Sequence, residues 1–238
     1  KDKNPAPTTF VPHAGAPVWL RIAGVLALIA CVVANGLIGM FGRYSTSEVS
    51  DKFSLKITPP APFFGIWGAI YTAISIMIYY VTTSNRWTPV SYYAWAVVNL
   101  LNALWVGVWS QGTKTSIVQC LGIVFFLALS LLWLWYTTYE SSGSGEKDTK
   151  YYLMRNTIAF YLGWVVGATV LNLGAVLVHV YGMSQKNFST LFWIIVPTAG
   201  VLVTLLNYSR HGMNGLKSSL GAWVSILWAM TGAAIQTM

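Results

Sequence analysis

Seven long apolar stretches occupy most of this 238-residue chain, and of its 14 basic and 6 acidic residues only Arg21 falls within one of them. A helix needs about 20 apolar residues to cross about 30 Å of hydrocarbon. The stretches at 18–40, 63–82, 90–109, 117–136, 158–181, 191–207 and 220–237 each come close to that length. The sixth is the shortest and contains Pro197. This pattern identifies the solvent as lipid and the chain as a polytopic membrane protein.

Composition agrees with the spans. Hydrophobic residues make up 55% of the chain and charged residues 8%, whereas soluble domains carry about 25% charge. In lipid every backbone N–H and C=O must be satisfied within the protein. The continuous runs lack the in–out alternation of barrel strands, so the expected fold class is all-α, a polytopic helical bundle. The net charge of +8 does not indicate nucleic acid, because the Lys and Arg residues form no stripe, basic helix or binding motif.

In a membrane protein such charge reports orientation. Lys1, Lys3, Arg21, Arg86, Lys147, Lys150, Arg155, Arg210 and Lys217 share one side, against Arg43, Lys52, Lys56, Lys114 and Lys186 on the other. Nine against five puts the N-terminus on the matrix or cytoplasmic side. Residues 1–17 include Pro5, Pro7, Pro12 and Pro17 and read as an extended tail, not as the apolar core of a signal peptide. The chain starts at Lys1 and not at Met, which fits either a removed N-terminal segment, such as an organellar presequence, or a truncated sequence. The mitochondrial inner membrane is the favoured location. Cys31 and Cys120 lie in the first and fourth spans. They make neither a metal site nor a disulfide framework.

Two connections are long. Residues 42–62 end in Thr58-Pro59-Pro60-Ala61-Pro62, which leads into the second span, and 137–157 contain Ser141-Ser142-Gly143-Ser144-Gly145, a flexible-linker composition.

No Asp or Glu lies within a span. Pumps and ion-coupled transporters place ionisable groups at membrane depth, and an intramembrane hydrolase needs a nucleophile with a base. A non-enzymatic protein without a metal or required cofactor is therefore expected. His179, near the end of span five, reads as an interfacial histidine. The polar content is amide and aromatic. Trp95, Asn99, Asn102, Val106 and Trp109 share one face of span three, bordered by Trp105. Tyr161, Trp164 or Val165, Ala168 and Asn172 form a stripe on span five, Trp67 and Tyr71 open span two, and span one holds Asn35. An Asn in lipid must find a partner, so these residues face the bundle interior. They either glue helices together or line a cavity for a flat apolar ligand. Gly163 and Gly167, extended by Gly174, form a close-packing stripe, within the bundle or against another subunit.

Three segments together resemble the TspO/translocator-protein family, also called tryptophan-rich sensory proteins. The first runs from Thr58-Pro59-Pro60 through Phe64-Gly65-Ile66-Trp67 to Tyr71, similar to the family's proline-rich entry to its second helix. The second is Asn102-Ala103-Leu104-Trp105, like its Asn-x-x-Trp on helix three. The third, Tyr161-Leu162-Gly163-Trp164 through Ala168 to Leu171-Asn172, is similar to its helix-five motif. The resemblance implies a five-helix core over residues 18–181, followed by two further C-terminal membrane helices over 182–238. It also implies a cavity for tetrapyrroles, sterols or other lipids, with Trp67, Tyr71, Asn102, Trp105, Trp164 and Asn172 as ligand-binding residues. Where the family has a further Trp after its proline pair, this chain reads Ala61-Pro62-Phe63, which weighs against porphyrin handling and against porphyrin-degrading chemistry. The expected function is apolar-ligand binding. The alternative is a non-catalytic accessory subunit of a large organellar complex, respiratory or photosynthetic. Expected partners are membrane lipid and either a second copy or other membrane subunits, and not nucleic acid.

Overall fold

A computed structural model describes residues 15–140 and 148–238, and every regular element among them is helical. The tail over residues 1–14 and the Ser141–Gly145 linker lie outside the described residues. The helices are α1 (Val18–Phe41), α2 (Thr46–Lys52), α3 (Ile66–Ser84), α4 (Pro89–Trp109), α5 (Lys114–Glu140), α6 (Thr149–His179), α7 (Gln185–Lys217) and α8 (Leu220–Thr237), with a 3₁₀ turn at Ala61–Gly65 leading into α3. The chain is an integral membrane helical bundle. Its long helices correspond one for one to the expected spans.

Among the described residues six segments are long and apolar enough to cross a membrane, where seven were expected. The exception is α4. Asn99, Asn102 and five Trp and Tyr residues lower its hydropathy, although its 21 residues rise about 30 Å. Its amides and indoles are turned inward, so a span that looks half polar presents an apolar outer surface through Val97, Leu100 and Leu104.

Local signals set the boundaries. Asn85 takes the left-handed conformation (φ 51°) that ends α3. Thr88 caps α4 with Pro89 at its first position. Asp148 caps α6, accepting the Tyr151 N–H at 2.8 Å, and so starts that helix nine residues before the apolar span. Ser184 starts α7 early in the same way. Pro197 sits inside α7, and the helix breaks at Gly212, which has φ 56° and ψ −138°.

The helix α6 is central. Of its membrane window 61% is buried, against 17% for α1 and for α7. It contacts α3, α5, α7 and α8, while α1 packs on α3 and α4. Gly163 and Gly167 face α8, while Gly174 meets Phe188 of α7 and Leu55. A Cβ on Gly163 would lie 2.4 Å from the Ala222 carbonyl oxygen, and one on Gly221 would lie 2.0 Å from that of Asn156. The close-packing contact is thus made within the bundle.

Segment 42–62 is more than a loop. Ser45 and Glu48 form a reciprocal capping box that starts α2. Leu55 and Ile57 are buried in a cluster with Phe188 and Phe192 of α7 and Val170 of α6. His179 binds the Ser54 carbonyl at 3.1 Å and meets the Phe53 ring edge-on, so this histidine anchors the segment. At the opposite end, Arg86 pairs with Asp148 at 2.9 Å, joining the α3–α4 turn to the start of α6.

Candidate functional site

Four helices meet at Asn102. Its Oδ1 accepts from Asn35 of α1 at 3.0 Å and from Tyr71 of α3 at 3.2 Å, with the Cys31 thiol at 3.5 Å. Its Nδ2 donates to the Tyr161 hydroxyl of α6. An amide in hydrocarbon must find partners, and interhelical bonds of this kind contribute about 0.6–2 kcal/mol each. One residue of α4 therefore fixes α1, α3 and α6 around it. Asn102 is 1% exposed, and both the oxygen and the nitrogen of its amide are engaged by these bonds.

An aromatic wall stands beside this hub. Trp67 lies near parallel to Tyr71 and to Trp105, with ring centroids 5.8 and 6.2 Å apart, and Trp105 continues the stack onto Trp109 at 5.6 Å. Trp164 and Tyr161 meet Trp67 edge-on at 6.2 and 6.0 Å. Offset stacks and edge contacts of this kind add about 0.5–1.5 kcal/mol per pair beyond area burial. Asn172 Oδ1 accepts from the Trp105 indole at 3.4 Å, while its Nδ2 donates to the Ala168 carbonyl at 2.8 Å. The 3₁₀ turn, where the sequence lacks a Trp, sends Phe64 edge-on to Trp164 and Phe63 onto Trp228 of α8.

Two cavities share this wall. An open cleft of about 460 Å³ is bounded by Asn35, Phe64, Trp67, Tyr71 and Trp105, with Ser45, Thr46 and Ser47 at its mouth. A smaller recess of about 50 Å³ continues behind Trp67 and Trp105 to Trp164, Ala168 and Asn172, under Phe53 and Leu55. Segment 42–62 thus roofs both. No acidic, basic or histidine side chain lines either space. The Trp164 indole N–H lacks an acceptor among the described residues, although Trp164 is 2% exposed.

Of the six residues read from sequence, Trp67, Tyr71, Trp105, Trp164 and Asn172 line the cavities. Asn102 lies behind them and positions the tyrosines. Asn35, Phe64 and the α2 start were not among those six. Asn35 was legible as the lone amide of an apolar span, and α2 as a Ser-x-x-Glu box. Phe64 carried no signal beyond its place after the prolines.

A family model described as TSPO-like protein matches residues 21–238, through α7 and α8 as well as the motif-bearing helices. No curated protein and no solved structure matches the chain.

Proposed function

The chain belongs to the TSPO-like family, and from that premise we propose that it binds a flat apolar ligand, a tetrapyrrole, a sterol or another lipid, in the cleft beside Trp67. The observation that carries this reading is the Trp67–Trp105 stack on the wall of a cleft of about 460 Å³, within the size range of small-molecule sites. The wall offers indole and phenol faces for stacking. The unpaired Trp164 N–H, in the recess behind Trp67, offers a donor to a ligand oxygen that reaches past the stack. With no nucleophile–base pair in the lining, the site works by shape and stacking, without covalent chemistry and without a required cofactor.

Titrating the purified protein with a porphyrin and with a sterol, followed by Trp quenching, tests the reading. Trp105→Phe and Trp164→Phe should each lower affinity about tenfold, the scale of one lost aromatic contact. Unchanged affinity in both variants would exclude this cleft as the binding place.

A second reading is an accessory subunit of a larger membrane complex in the mitochondrial inner membrane, with the N-terminus toward the matrix. It draws on α1 and α7, whose membrane windows are only 17% buried and so present broad apolar faces to neighbours. Native sizing after gentle extraction separates this from a free monomer or a homodimer.

A further inference from the structure

No residue of α7 or α8 lines the cavities beside Trp67. Both helices nonetheless hold the segment that roofs them. At the start of α7, Gln185 donates from Nε2 to the Ser54 carbonyl at 3.2 Å and accepts the Lys56 N–H at 3.1 Å. On α8 the Trp228 indole donates to the Phe63 carbonyl at 2.9 Å, and the Trp228 and Phe63 rings lie with centroids 4.9 Å apart. One turn on, Gly232 is buried against the prolines. A Cβ there would stand 2.7 Å from the Pro59 Cβ and 2.8 Å from the Phe63 ring. A further turn on, Gln236 borders a small space of about 80 Å³ together with Pro59, Pro60 and Phe64. Spaced at i, i+4 and i+8, Trp228, Gly232 and Gln236 share one face of α8, and that face runs along the proline-rich entry to α3.

What this face holds leads directly to the ligand wall. Pro59, Pro60 and Pro62 each fix φ, so a shift at Phe63 is carried along the chain and not absorbed by it. The next residue, Phe64, meets Trp164 edge-on and lines both cavities. Trp67 follows within one turn, at the start of α3.

We propose that α8 sets the position of the ligand wall, with Trp228 and Gly232 as positioning residues that fix where Phe64 and Trp67 stand although neither borders the cleft. The proposal rests on the reading of the cleft as a binding site. It gives the helix farthest along the chain a part in that site.

The test follows two readouts on the full chain in detergent. One is amide hydrogen exchange over residues 57–65. The other is dissociation of protoporphyrin on dilution, read by recovery of Trp fluorescence. Trp228→Phe removes the donor at a position that is 43% exposed, so its thermal midpoint should stay near wild type. Gly232→Ala pushes Pro59 and Phe63 outward. Each variant should speed both exchange over 57–65 and protoporphyrin dissociation about fivefold, the scale of one hydrogen bond. Trp223→Phe is the control. It removes an equivalent bond on the same helix, to Thr204 of α7 at 2.9 Å, and should change neither readout. A merely structural role of α8 would move Trp228→Phe and Trp223→Phe alike, and that result overturns the proposal. So does unchanged exchange in Trp228→Phe, or faster exchange with unchanged dissociation. A wild type whose Trp fluorescence responds to neither protoporphyrin nor a sterol would defeat the reading of the cleft instead. Exchange over 57–65 would then still decide whether α8 holds the roof.

Discussion

The two sides of α6 are built on opposite principles. Toward α8 it presents Gly163 and Gly167, and at Gly163 the two helices come so close that an added methyl group has no room. Toward α3 and α4 it presents Tyr161, Trp164 and Asn172, large side chains that hold the neighbouring helices away and leave the small recess behind Trp67 between them, continuous with the wall of the Trp67 cleft. Both sides solve the same problem. In lipid there is no hydrophobic drive between helices, so contact must come from close packing or from hydrogen bonds. Small residues choose packing and close the space. Amides and indoles choose hydrogen bonds at arm's length and leave a cavity. Where a bundle of this kind can hold a ligand is thus decided by which residues face each seam.

The largest test falls on the closed seam. Gly163→Leu should destabilise the protein by about 3 kcal/mol, the upper range for overpacking, because the obstacle is the Ala222 backbone and not a movable side chain. Thermal unfolding followed by Trp fluorescence in detergent reads the loss. Since the glycine faces away from the cleft, the fraction that remains folded should bind porphyrin with unchanged affinity. A drop in that affinity would mean that the two sides of α6 are not independent.

The open seam should respond in the reverse sense. Asn102→Leu removes the acceptor shared by Asn35 and Tyr71 and the donor to Tyr161. The expected cost is about 2 kcal/mol, less than the sum of the separate bonds because the freed groups find other partners in the bundle. Porphyrin affinity should fall with it, as Tyr71 and Tyr161 lose the contact that positions them. An Asn102→Leu protein that keeps its affinity would show that stacking alone shapes the cleft.

How far these features were legible in the sequence follows from the same contrast. Amides and indoles in apolar runs are conspicuous, so five cavity residues could be named and the inward turn of α4 foreseen. The glycine stripe was equally visible, but a small residue does not say what approaches it, and only the structure supplies Ala222 and Ser225 of α8 as the partners. The span boundaries of α6 and α7 were missed for another reason. Hydropathy marks where lipid ends, whereas caps such as Asp148 and Ser184 mark where the helix starts, and these two helices extend beyond the lipid. Segment 42–62 was read as a loop because its mixed charges and closing prolines mask the few apolar residues, Val49, Phe53, Leu55 and Ile57, that it buries.

The smallest expected effect lies outside both seams, at the polar end of α6. The Tyr151 N–H that Asp148 accepts, and then Arg86 beside it, hold the carboxyl below the usual carboxylate range. A folded-state pKa below the unfolded value means that the ionised cap stabilises at neutral pH. That contribution is fully present above the unfolded value and is lost as pH falls through the lowered folded one. Both side chains are over a third exposed, so solvent screening leaves the ion pair itself a fraction of a kcal/mol. Asp148→Ala, which removes the cap as well, should cost about 1 kcal/mol. Asp148→Asn keeps a capping oxygen and should cost less, while abolishing this part of the acid dependence. Thermal midpoints of the three proteins at neutral and acidic pH would measure it. If Asp148→Asn lost as much as Asp148→Ala, charge and not hydrogen bonding would set the start of α6, and this end of the helix would follow a third principle, distinct from both seams.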